Sequence, residues 1–288
     1  MRDFDFLEPA SVQEASRMLA DLGDECRVMA GGTALMLAMR QRMVSPPHIV
    51  SLGRLGTLRG IHFDAVQGLR IGALCRHADV AQSPVVQQHY PMLAAMAAQV
   101  ANPQVRNQGT LGGNLCYADP STDPPGCLLA LDARVVLSGT QGERELPMQD
   151  FLVDYFTTAL HSDEVLTAVR VPPPAPGTVG QYTRFLRTAA DHRPLANVSL
   201  VVQQQGAHCQ SARLVVGAAV PMASRMHRAE ALLAGQPVTA ALAAQVADAV
   251  AQDIDAVSDL RGSAEYRRDM VRVITRRAVV SLFGLGNS

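Results

Sequence analysis

The sequence predicts a chain in two parts: a mixed α/β first part and, past a proline run, a second part made of an antiparallel hairpin and helices. Three observations carry this. A strand-like segment at 26–30 runs into Gly31-Gly32-Thr33 and then into the helix-forming stretch 34–42. The run Pro172-Pro173-Pro174-Ala175-Pro176-Gly177 fits neither a helix interior nor an inner strand, so a boundary falls there. Beyond it, 195–203 and 212–220 read as strands joined by a turn at Gly206, and three helical stretches follow near 224–234, 239–252 and 264–283. The domain ranges drawn from this are 1–174 and 178–288.

In chain order, Ser11-Val12-Gln13-Glu14 is a capping box that opens a helix with Val12, Ala15, Leu19 and Leu22 on its apolar side, and Gly23 stops it. The strand at 26–30 is expected to be buried. Pro46-Pro47 ends the helix after the glycine turn, and 48–52 reads as a second strand. Short strands broken by glycine are expected at 61–63 and 69–73, with a helix start at His77-Ala78-Asp79-Val80. The alanine-rich 92–100 reads as a buried helix ending at Asn102-Pro103. Further on, Asp119-Pro120-Ser121-Thr122-Asp123-Pro124-Pro125 is a turn, an apolar helix runs through Leu128 and Leu131, and 133–137 and 165–171 read as strands.

Composition excludes several classes. The 288 residues carry a net charge of −1, which gives no electrostatic case for nucleic acid or an anionic membrane. All 25 basic residues are arginine. No apolar run is long enough for a membrane span or a secretory leader. The cysteines at 26, 75, 116, 127 and 209 form no C-x2-C pair, so no zinc, iron–sulfur or disulfide framework is expected in this chain, and reduced thiols point to the cytoplasm. Cys116 and Cys127 are assigned to packing. The eight histidines are scattered, and His77 and His192 read as surface or cap residues rather than bases.

The chemistry lies in the glycines. Strand, glycine turn and helix start form a geometry that binds phosphate, because glycine lets the backbone approach an anion and the first helical turn points free N–H groups at it. A Gly-Gly pair alone marks only a turn. Here a second pair stands about 80 residues on, in Thr110-Leu111-Gly112-Gly113-Asn114, and two such loops can converge on one diphosphate, each supplying several N–H donors. A G-x-G-x-x-G is absent after the strand, and no lysine exists to complete a P-loop, so the usual nicotinamide and ATP readings fail. No catalytic acid–base pair is visible.

Ala30-Gly31-Gly32-Thr33, with the second glycine motif and the turn from Ala118 to Pro125, resembles the FAD-binding medium subunit of the molybdenum hydroxylases, the family of xanthine dehydrogenase and aerobic carbon monoxide dehydrogenase. Phe4-Asp5-Phe6 with Pro9, the segment from Leu128 to Ala133, Glu164-Val165-Leu166, and Arg187 with Asp191 follow the same pattern. The resemblance implies an α+β fold. A PCMH-type FAD-binding domain of two subdomains, about 1–56 and 57–174, is followed by a smaller C-terminal domain of antiparallel sheet and helices. It implies FAD as cofactor, held by Val28, Met29, Ala30, Gly31, Gly32, Thr33, Ala34 and Leu35 on one side of the diphosphate. Thr110, Leu111, Gly112, Gly113 and Asn114 would lie on the other side. Asp123 would accept from a ribitol or ribose hydroxyl, and Val100 and Leu166 would line the cofactor. Both also fit as plain core residues, and Asp123 also fits as a helix cap. Arg184 stands where several relatives have lysine, which keeps the charge and changes the shape.

The activity implied is electron transfer, with no catalytic or metal-binding residue in this chain. A molybdenum cofactor in a large partner subunit would hydroxylate the substrate, and two [2Fe–2S] clusters in a small partner subunit would feed the flavin, in a dimer of heterotrimers. The cysteine-rich insertion found in relatives acting on acyl-CoA thioesters is absent. Two other readings are a self-sufficient FAD-dependent oxidase or reductase and a flavin-free scaffold subunit. The first calls for a substrate domain or a covalent flavin link, and neither is visible.

Overall fold

The computed structural model describes residues 2–188 and 191–285. Its first sheet is small and parallel, in the order Asp5–Leu7, His48–Ser51, Cys26–Met29. His48–Ser51 is central and buried, as its apolar Ile49 and Val50 require. Cys26–Met29 is an edge strand, and only Cys26 is buried, with Val28 40% exposed. The buried strand expected at 26–30 is therefore corrected: one face packs on the Val12–Leu22 helix and its surroundings, and the rest stays open. The capping box at that helix is also modified. Ser11 accepts from Glu14 N–H as expected, but the Glu14 carboxylate reaches the N–H of Ala10 rather than that of Ser11.

The second sheet is antiparallel throughout, in the order Ile61–Asp64, Gly68–Gly72, Val165–Val171, Arg134–Gly139, Gly142–Pro147. Val165–Val171 is its middle strand, which is why that strand is apolar almost end to end. Helices Pro91–Gln99, Leu111–Tyr117 and Pro124–Ala130 contribute to the main core with this sheet. Each of the first and last of these opens with proline at its first turn, where a missing N–H costs nothing.

The third sheet runs Thr178–Phe185, Ala196–Gln205, His208–Gly217, Ser224–Arg225, and the hairpin turn at Gly206 has φ +61°. Strand Ala196–Gln205 is buried on both faces and divides its side chains by the two-residue period of a strand. Ala196, Val198, Leu200 and Val202 pack with the helices His227–Leu233, Ala240–Asp253 and Ala264–Leu282. On the other face, Val201 joins the main core, while Asn197 and Ser199 approach Gly126. That core also takes in Tyr182 and Val215, so the third sheet and the helices of the first part share one apolar interior. Strand Thr178–Phe185 was not anticipated, and two of its side chains, Tyr182 and Arg184, reach Asp123 in the first part.

Among the described residues, no helix is long and apolar enough to cross a membrane, and no group of metal-ligating side chains is present.

Candidate functional site

The two glycine motifs meet. A Cβ on Gly31 would lie 2.2 Å from the Gln108 carbonyl oxygen and 2.9 Å from Gly109 Cα, so this backbone contact exists only because residue 31 has no side chain. Gly32 takes φ +72°, a left-handed conformation that glycine adopts without strain, and it is the N-cap of helix Thr33–Arg40. Among the described residues, the N–H groups of Gly31, Gly32, Thr33, Ala34 and Leu35 have no intramolecular acceptor, and all five residues are half-buried. Five consecutive unsatisfied donors at a helix start are a concentrated positive end, suited to a phosphate or diphosphate.

The second motif is built differently. Thr110 caps helix Leu111–Tyr117, its hydroxyl accepting from Gly113 N–H at 3.1 Å. Leu111 N–H donates to the Cys75 carbonyl, Gly112 N–H to that of Ala73 and Asn114 N–H to that of Thr110, at 2.9, 2.9 and 3.0 Å. The expectation that both loops supply several N–H donors is thus corrected: Leu111 and Gly112 fix the loop to the chain after strand Gly68–Gly72, and Gly113 and Asn114 are spent on Thr110 at the start of its own helix. What the loop offers is a close backbone surface and Asn114, whose Oδ1 accepts from Thr122 and so leaves its NH2 group to donate. A cavity of about 200 Å³ opens between the loops, with Ala30, Gly31 and Thr110 in its wall and Arg59 and Arg76 bringing positive charge.

His77, expected as a surface or cap residue, is 2% exposed, follows the N-cap Arg76 and lies behind the meeting point. Its ring carbon Cδ2 would be 3.4 Å, and Thr33 Oγ1 3.3 Å, from a Cβ on Gly109, so both motifs touch the same wall. Burial, and after it the Arg106 guanidinium, hold the His77 pKa down at about 4, so the ring is neutral at physiological pH. Among the described residues, its buried Nδ1 has no hydrogen-bond partner.

The turn after the second motif is clasped by the C-terminal part. Asp119 accepts from Ser121 N–H at 2.9 Å and pairs with Arg193 at 2.9 Å. Ala218 N–H donates to the Pro120 carbonyl, Asn197 Nδ2 to that of Thr122, and Arg261 to Ser121 Oγ at 2.8 Å. Behind them Arg267, fully buried, donates to the carbonyls of Leu195 and Ala218 and pairs with Asp259 at 2.6 Å. Burial works against the charge on Asp259, but Arg267 and Arg261 hold its pKa at about 2.

Asp123 stands at the N-cap position of helix Pro124–Ala130 without capping it by its side chain. One carboxylate oxygen accepts from the Tyr182 hydroxyl, and the other lies 3.5 Å from Arg184 Nη1. Burial pushes its pKa up to about 6, with Tyr182 and Arg184 pulling the other way. Arg184 is itself largely buried, and among the described residues its Nη1 makes no hydrogen bond. Val100 and Leu166 lie 4% and 3% exposed in the main core, where the first ends helix Pro91–Gln99 and the second pairs with Leu137. Cys127 is fully buried, as its packing role requires, and Arg187 pairs with Asp191 at 3.4 Å. Tyr182 escaped the sequence reading. Tyr182 and Arg184 are two apart, a spacing that puts them on one face only once the segment is a strand.

The family model described as the FAD binding domain in molybdopterin dehydrogenase matches residues 2–174, and that of the CO dehydrogenase flavoprotein C-terminal domain matches residues 181–282. The chain is 35% identical to the 6-hydroxypseudooxynicotine dehydrogenase complex subunit alpha of Paenarthrobacter nicotinovorans, over 96% of this chain and 93% of the relative. It is 33% identical to the carbon monoxide dehydrogenase medium chain of Hydrogenophaga pseudoflava, over 96% of each. A solved structure of carbon monoxide dehydrogenase from the same organism, lacking the Mo-pyranopterin moiety, superposes with a TM-score of 0.94 at 34% identity, covering 98% of each chain.

Proposed function

Because this chain belongs to the family of FAD-binding medium subunits of molybdenum hydroxylases, we propose that it receives electrons from two [2Fe–2S] clusters of a small partner subunit and passes them through its FAD to an external acceptor. The molybdenum cofactor and the clusters belong to other subunits. On this reading a large partner oxidises the substrate, the assembly is a cytoplasmic dimer of heterotrimers, and the chain's two domains are 1–174 and 178–288.

The observation that carries the reading is the row of five unsatisfied N–H groups from Gly31 to Leu35, which starts in the wall of the cavity between the two loops. These donors fit a diphosphate, which carries charge but needs no side-chain base. Val28, Met29 and Ala30 lead the chain into that row, and Thr33 Oγ1 stands at its centre. Gly112 and Gly113, with Thr110 and Leu111 anchoring them, give the other wall, and Asn114 donates from it. Asp123 accepts a sugar-like hydroxyl, with Arg184 beside it, while Val100 and Leu166 support the apolar floor. When bound, FAD supplies electron exchange in single and paired steps. The chain's own residues bind it, orient it and shield it. Val28, Leu37 and Met43, exposed around the first loop, leave apolar surface there.

The test uses the purified chain and separately purified partners. The chain alone is expected to bind one FAD and to show no bleaching of the flavin band with the substrate of the whole complex. Adding the chemically reduced iron–sulfur subunit is expected to bleach it. Bleaching by substrate with no partner present overturns the proposal.

A further inference from the structure

Asp123 is buried beside two side chains that come from the other part of the molecule. Tyr182 and Arg184 both lie on strand Thr178–Phe185, past the proline run, and their side chains reach the same carboxylate. The phenol is itself buried, with its own pKa raised well above 10 by burial and by Asp123, so it stays a donor throughout the ordinary pH range. We propose that Tyr182 is a positioning residue for the flavin: its hydroxyl fixes the orientation of the Asp123 carboxylate and favours its ionised form, which alone can accept freely from a cofactor hydroxyl. This rests on the reading that Asp123 contacts FAD.

The geometry supports a division of labour. A carboxylate oxygen has two lone pairs, so the oxygen bonded to Tyr182 keeps a second site, and the oxygen facing Arg184 at 3.5 Å keeps more. A protonated carboxyl in the same place would turn one of those acceptors into a donor. Burial drives Asp123 toward that form, since its pKa stands at about 6, and a hydroxyl donor opposes the drift. The other groups facing Asp123 are few. Its own helix brings Cys127, whose thiol is kept protonated by burial and by Asp123. The strands packed on that helix bring neutral Asn197 and Ser199, and Arg213, whose guanidinium is turned to the Ala130 carbonyl at the far end. Asp119, in the same turn, pairs with Arg193.

The experiment is a fluorescence titration of the full chain with FAD from pH 5 to 8.5. Wild type is expected to lose affinity as pH falls through about 6. Tyr182→Phe keeps near wild-type affinity at pH 8.5 and moves the midpoint of that loss up by about one pH unit, the size of a lost hydrogen bond to a charged group. A Tyr182→Phe curve that overlays the wild-type curve overturns the proposal. Asp123→Asn separates the two levels: weak, pH-independent binding upholds the Asp123 contact, whereas wild-type affinity and pH dependence in that variant removes the contact itself. Should Tyr182→Phe fail to fold, 3-fluorotyrosine at 182 replaces it, a stronger donor of nearly the same size. Its midpoint is expected below that of wild type, and an unmoved midpoint overturns the proposal.

Discussion

The two glycine loops look alike as sequence and differ as structure. In the first, one glycine has a positive φ, the other touches backbone, and five N–H groups are left without acceptors. In the second, neither glycine of the pair has a positive φ, every N–H from Leu111 to Asn114 is bonded, and Gly112 is there because a Cβ would lie 2.9 Å from the Ala73 carbonyl oxygen. One loop is an open donor set. The other is a buttress that holds the first in place and carries the turn leading to Asp123. A repeated motif therefore does not imply a repeated role, and hydrogen-bond accounting separates the two.

The sharpest test of this difference is the titration of the groups behind the loops. His77 in the folded chain has a pKa of about 4, below its ordinary 6.5. Between those values the unfolded chain takes the proton, so stability is lost as pH falls, by about 3 kcal/mol in full. Asp123 is the reverse. Its folded value of about 6 lies above the ordinary 3.8, so the folded chain takes the proton first. Its contribution is gained as pH falls through that window, again by about 3 kcal/mol. The two oppose each other in the apo chain. Denaturant melts of Asp123→Asn should show stability dropping toward pH 4, and those of His77→Asn should show it rising. Parallel slopes in the two variants would break the assignment of opposite environments.

Next in size are the close approaches. Gly31→Ala places a methyl 2.2 Å from the Gln108 oxygen, and Gly112→Ala one within 3.0 Å of the Ala73 backbone. Each is expected to destabilise by about 2–3 kcal/mol through overpacking. Gly31→Ala should also abolish FAD retention, because the donor row moves with the loop. Thermal melts and flavin-to-protein absorbance ratios read both. If Gly31→Ala keeps its flavin, the loops need not touch to bind.

The smallest effects compare the second glycine of each pair. Gly32→Ala should cost about 1–2 kcal/mol, the strain of a left-handed non-glycine residue. In Gly113→Ala the new methyl meets the Thr110 hydroxyl at 2.8 Å, a side-chain end that can turn away, so the loss is limited to the cap, about 1 kcal/mol or less. Equal costs in the two variants would erase the distinction drawn here between the loops.

Much of this was legible in the chain itself. The apolar run 165–171 is a strand from Val165 to Val171, and the helical stretches near 239–252 and 264–283 are the helices Ala240–Asp253 and Ala264–Leu282. Strand Thr178–Phe185 was not legible, because its mixture of Thr, Gly, Gln and Arg shows no alternation and it follows prolines. His77 was misread for a related reason. A histidine at a helix start is ordinary at the surface, and only the fold of residues 105–111 over it makes it buried. The glycine motifs pointed to a phosphate loop, but not to which loop keeps free donors, since that depends on carbonyls at Ala73 and Cys75, about 40 residues back along the chain. Asp123's partners lie about 60 residues further on, beyond any local pattern.

The clasp on the 119–125 turn bears on how the protein is made. Arg193, Arg261 and the Arg267 hub are all encoded after the proline run, and Arg261 leaves the ribosome on the order of ten seconds after Asp123. During that interval the nascent chain already displays both glycine pairs, yet the turn that joins them to Asp123 has nothing to hold it. The clasp is therefore added after both glycine loops have emerged. A chain that stopped at residue 174 would lack Arg193, Arg261 and Arg267, and its 119–125 turn would stand unclasped.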